Sequence, residues 1–165
     1  MIEQNLLESI TNISPSDVKL VPIIKKIFDS YQNLTITDEC LLSLYFIFDQ
    51  PLFASLDIID EKLIKRYTFL PSNRYFYVIE GTKGGKYMCL IDGDYCSCPS
   101  FNFSVLLRSE SIYCKHQIAS FIAEVLKNVD VLEFDDSEYS SKVIEIEAMS
   151  FKTPTHKKQS TPTGT

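Results

Sequence analysis

No apolar run in this 165-residue chain approaches the length of a membrane span. The N-terminus also lacks the basic segment, apolar stretch and small-residue cleavage site of a secretory signal. A soluble, intracellular protein is the expectation. An excess of positive charge is missing too: 16 Lys and Arg stand against 22 Asp and Glu, a net charge of −6. The surface as a whole is therefore no footprint for nucleic acid, and any contact with DNA must be local or made by a partner. Cysteines number five, an odd count that does not suggest a secreted disulfide framework. A working phosphate-binding loop is absent as well. In Gly81-Thr82-Lys83-Gly84-Gly85-Lys86 only three residues separate Gly81 from Gly85, and Tyr87 stands where Ser or Thr is needed. This segment reads as a hairpin turn, and the chain is not expected to hydrolyse nucleotides.

What is present suffices for one ordinary core, since 45% of the residues are apolar. The expected organisation is a weakly ordered arm over 1–13, a single domain over 14–149, and a disordered tail over 150–165 rich in Thr, Pro, Lys and Ser. Ser14-Pro15 suits a helix start, and Val21, Ile24, Phe28 and Tyr31 recur at spacings of three and four, as a buried helix face requires. Thr37-Asp38 opens a second helix in which Leu41, Leu42, Leu44, Tyr45, Phe46, Ile47 and Phe48 leave almost no polar face. Such a helix is either deep in a core or covered by another chain.

From Lys65 the period changes. Arg66 to Leu70, Tyr75 to Glu80 and Lys86 to Ile91 are short runs of aromatic and branched residues, the signature of strands. Turn sequences at 71–73, 82–85 and 92–93 join them into an antiparallel meander that delivers the chain to Cys96. Ile118, Phe121, Ile122, Val125 and Val129 trace another helical stripe, and a shorter helix is predicted from Ser137 to about Glu147. Helices, a small sheet, then helices is an α+β arrangement.

The chemistry concentrates in one stretch. Four of the seven cysteines and histidines lie between 96 and 116, as Cys96-x-Cys98, fifteen residues, then Cys114-x-His116. Three thiolates and one imidazole satisfy tetrahedral zinc with no position left open, which marks a structural rather than a catalytic ion. Residues two apart on an extended strand share a face, so Cys96 and Cys98 can grip one ion together. Residues two apart on a helix point about 200° apart, so Cys114 must lie just before a helix and His116 in its first turn. Helix-terminal N–H groups then favour the thiolates. Cys40 and Cys89, amid apolar neighbours, read as small buried hydrophobes, and His156 as a solvated tail residue. A Cys114–His116 nucleophile and base pair would leave Cys96 and Cys98 at ligand spacing without a purpose.

Cys96-Ser97-Cys98-Pro99 followed by Cys114-Lys115-His116, with Ala119 three residues further on, resembles the SWIM zinc-finger pattern. The likeness extends to Leu41–Phe48, to Tyr95–Leu106, and to the acidic residues after the last long helix. Over roughly residues 37 to 130 the chain is similar to the SWIM-domain subunits of Shu complexes, with the finger at about 87–125. That resemblance implies a nuclear, non-catalytic protein that pairs with a RecA-like recombinase paralogue. It further implies help for recombinase filament assembly on single-stranded DNA in homologous recombination and meiosis, with DNA met mainly through the complex. Neither a membrane nor a small-molecule substrate is expected. SWIM fingers also occur in transposase-like and ubiquitin-ligase-associated proteins, so two alternatives stand: a SWIM adaptor in a ubiquitin-ligase or transcription complex, and direct nucleic-acid binding. In the latter, Tyr75, Tyr77, Phe101 or Phe103 would act as stacking platforms.

Overall fold

The computed structural model describes residues 26–27, 37–81, 84–92 and 94–150. The expected arm at 1–13 and the tail from 151 lie outside these residues, as does the helix over Val21–Tyr31 except for the helical Lys26 and Ile27. Helix α1 spans Asp38–Phe48 and starts where Thr37 accepts a hydrogen bond from the Cys40 amide at 3.3 Å, satisfying a donor the helix cannot. Asp49, at positive φ, ends it, and Pro51 opens α2 over Pro51–Asp60. This second helix had no counterpart in the sequence reading.

Strands β1 (Ile64–Leu70), β2 (Arg74–Glu80) and β3 (Lys86–Leu90) fall where the alternation predicts. They continue into the two-residue strand β4, Tyr95–Cys96. After a π-helical segment over Phe101–Leu107 come α3 (Lys115–Leu126), β5 (Asp130–Asp135), a short 3₁₀ turn at Asp136–Glu138 and α4 (Tyr139–Ser150). Sheet order is β4-β3-β2-β1-β5, with every pair antiparallel except β1 and β5, which run parallel. The antiparallel meander is thus one part of a mixed sheet, and the α+β class holds.

Three details correct the sequence reading. Val129 belongs to no helix, because α3 closes at Leu126 with Lys127 in the left-handed conformation, although its side chain still packs on the core. Residues 130–135 form a strand despite four exposed positions at its start. Ser150, assigned to the tail, is the last residue of α4, and its hydroxyl donates to the Lys86 carbonyl at 2.7 Å.

Strand alternation divides the apolar residues between two sheet faces. Ile64, Tyr77, Ile79, Cys89 and Cys96 face the main core with Leu44, Leu52, Phe101, Ile118, Phe121 and Ile122, which come from the helices. Tyr67, Phe69, Phe76, Val78 and Met88 face the opposite side, where Ile146 of α4 completes a smaller core. Burying each large side chain of this kind stabilises the fold by about 1.5–3 kcal/mol. Polar links pin the layers: Tyr77 hydrogen-bonds Glu124 of α3, and the Tyr95 hydroxyl donates to Glu147 of α4 at 3.1 Å. The sheet is a covered platform, and its β3–β4 edge carries the first two cysteines of the motif.

Candidate metal centre

Cys96 ends β4, and the chain stays extended through Ser97, whose amide donates to the Met88 carbonyl at 2.9 Å. Ser97 points to the α4 side, where its hydroxyl hydrogen-bonds the Met88 amide and Ser150. Cys96 and Cys98 therefore point together to the other side, into the main core. Cys98 accepts a hydrogen bond from the Phe101 amide at 3.3 Å.

The second half of the motif is built by a helix start. Cys114 is the N-cap of α3, with extended backbone, and its sulfur accepts from the backbone of Gln117 while Gln117 Oε1 accepts from the Cys114 amide at 3.1 Å. This reciprocal pair does what a Ser–Glu capping box does, with sulfur in place of oxygen. His116 falls in the first turn, as the angular argument requires. Tyr87 stacks on its ring, with centroids 4.7 Å apart and planes at 25°.

All four side chains are buried, and their donor atoms lie within 4.8 Å of one another. Cys96 Sγ is 3.8 Å from His116 Nδ1. A zinc tetrahedron with metal–sulfur bonds of about 2.3 Å and metal–nitrogen bonds of about 2.0 Å has edges of roughly 3.5–3.8 Å. The pocket is already close to that size, so the donor set and its spacing fit one zinc ion. Among the described residues this is the one such Cys/His/acid cluster. Cys40 and Cys89 are free and buried, as expected for small hydrophobes.

Electrostatics within the cluster are lopsided. Hydrogen bonds from Cys114 and then Cys96, with further help from His116, hold the Cys98 thiol far below the usual range. Cys114 is pushed well up by its sulfur neighbours Cys96 and Cys98 and by burial. Cys114 favours the Cys96 thiolate, but hydrogen bonding with Cys89 and Cys98, plus burial, outweighs that and raises it. Thiols bind zinc as thiolates, so loading the site releases protons. Zinc affinity is accordingly expected to rise steeply with pH around neutrality. Chelator competition in buffers between pH 6 and 8 measures this; a flat profile would contradict proton release on binding.

Of the aromatics named as stacking platforms, Tyr77 and Phe101 are core residues, and Tyr75 is partly buried beneath the Arg66 guanidinium. Phe103 alone is exposed, with Arg108 over its ring. Tyr75 and Tyr77 lie on β2, whereas Phe101 and Phe103 belong to the π-helical segment.

A strand-borne Cys-x-Cys and a helix-capping Cys-x-His, closing one four-donor pocket, define a SWIM-type zinc finger with a single structural zinc. The sequence profile of the SWIM zinc finger matches residues 84–124. A Dictyostelium discoideum protein called zinc finger SWIM domain-containing protein 7 homolog is 64% identical over 151 residues, covering 92% of this chain and 97% of that relative. Mouse zinc finger SWIM domain-containing protein 7 is 38% identical over 67% of this chain and 72% of its own length. The human protein of that name is 38% identical over 65% and 76% respectively. The chain belongs to the zinc finger SWIM domain-containing protein 7 family. No solved structure matches it.

Proposed function

We propose that this chain is a non-catalytic, nuclear subunit of a Shu-like complex, with Cys96, Cys98, Cys114 and His116 as its zinc ligands. In this reading it pairs with a RecA-like recombinase paralogue, and the pair promotes recombinase filament assembly on single-stranded DNA during homologous recombination and meiosis. The observation that carries the pairing is on α1. Cys40, Leu44 and Phe48 face the core, whereas Leu42 and Phe46 are 56% and 80% exposed. Phe53 of α2 adds a further exposed ring, tilted against Tyr45 at 5.5 Å. Large apolar side chains grouped this way on a soluble domain mark a surface that another protein covers. Membership of the SWIM-containing family supports the finger as the scaffold. The broken phosphate loop at 81–86 supports leaving ATP to the partner.

The test is co-expression with the RecA-like paralogue. Phe46→Asp is expected to abolish heterodimer recovery while zinc content and circular dichroism stay unchanged, because the side chain contributes little to the core. Retention of pairing by Phe46→Asp and Leu42→Asp together would place the interface elsewhere. A salt titration of single-strand binding, with and without the paralogue, separates this reading from direct DNA binding. Tight, strongly salt-dependent binding by the chain alone would favour the direct reader.

A further inference from the structure

Three zinc-bound thiolates and a neutral imidazole leave the centre with a net charge near −1, on the formal charges of the groups. In a buried site that excess calls for hydrogen-bond donors to the sulfurs. Two sulfurs have backbone donors: Cys98 receives the Phe101 amide and Cys114 receives the Gln117 amide. Cys96 has no backbone donor of this kind among the described residues. The residue facing it across the β3–β4 ladder is another cysteine, Cys89.

The register explains why. Cys89 of β3 is the direct antiparallel partner of Cys96 of β4. The adjacent pair, Met88 and Ser97, is the one joined by the backbone hydrogen bond from Ser97. Cys89 and Cys96 therefore occupy a non-hydrogen-bonded position, where facing side chains approach most closely and share one side of the sheet. Both are completely buried, so no water competes for the contact. Cys89 is not among the four residues whose donor atoms converge. It stands beside Cys96, next to the cluster and outside it.

We infer that Cys89 is a positioning residue of the zinc centre, donating its S–H to the Cys96 thiolate and supplying the third sulfur with the donor that backbone amides supply to the other two. A metal-bound thiolate can only accept, so the proton must remain on Cys89. This rests on Cys96 being a zinc ligand.

The contrast between Cys89→Ser and Cys89→Ala tests it, because the two variants differ by one hydroxyl donor at a fully buried position. With a donor required, Cys89→Ala is expected to weaken zinc affinity by about 10–100-fold, and Cys89→Ser to lie well above it, near the parent chain. If Cys89 only fills space, the order reverses, since a buried hydroxyl without a partner is worse than a methyl group. Affinity is read by chelator competition on the full chain. The cobalt(II) forms at saturating metal give a second readout that does not depend on the zinc-free state. The sulfur-to-metal charge-transfer band is expected to move in Cys89→Ala and to stay near its place in Cys89→Ser. Equal affinities and unmoved bands, or serine binding more weakly than alanine, would overturn the inference. Failure of the parent chain itself to bind zinc would instead sink the ligand assignment.

Discussion

Cys114→Ala or His116→Ala is expected to release the zinc and melt residues 90–120, with the rest of the main core weakened alongside. The effect is large because structural zinc contributes on the order of 10 kcal/mol to domains of this kind, comparable to the whole stability of a small fold. Little else holds the region: β4 is two residues long, and Cys96, Cys98 and Cys114 are themselves part of the main core. Substituting Cys114 also removes the N-cap of α3, worth about 1 kcal/mol. Losing His116 removes the ring that Tyr87 stacks on. Elemental analysis paired with hydrogen exchange measures both consequences. Native-like protection at 90–120 in a zinc-free variant would show that the ion is dispensable to the fold.

Leu44→Asp is expected to unfold the domain, whereas Phe46→Asp, two residues along the same helix, leaves the melting temperature nearly unchanged. Leu44 is 0% exposed and lies in the main core with Leu52 and Phe121. A carboxylate placed there has no partner and must either stay desolvated or take up a proton, at a penalty of several kcal/mol on top of the lost packing. Phe46, 80% exposed, gives up almost no buried area, and surface changes of this kind usually fall within about 0.5 kcal/mol. Thermal denaturation of the two variants is the measurement. Comparable destabilisation by both would mean that the outward face of α1 is covered within the chain, and the docking role of Phe46 would fall with it.

The metal centre was legible in the chain because its constraints are local. Zinc needs particular donor atoms at particular separations, and Cys-x-Cys on a strand and Cys-x-His at a helix start are short-range solutions. The angular argument alone was enough to put Cys114 ahead of α3 and His116 in its first turn. Strands β1 to β3 were legible for the same reason, through alternation and turn residues.

What the tertiary structure decided was pairing and burial. Asp130-Val131-Leu132-Glu133-Phe134-Asp135 carries too many carboxylates to read as a strand, and it becomes one because β1 offers a parallel edge. Within α1 every apolar residue looks alike in sequence, and only the packing of α2 and the sheet sends Leu44 inward and Phe46 outward. Cys89 reads as an inert small hydrophobe until the β3–β4 register sets it against Cys96. Donor identity and spacing are written along the chain, whereas the neighbour of a side chain depends on which strands meet and in what register.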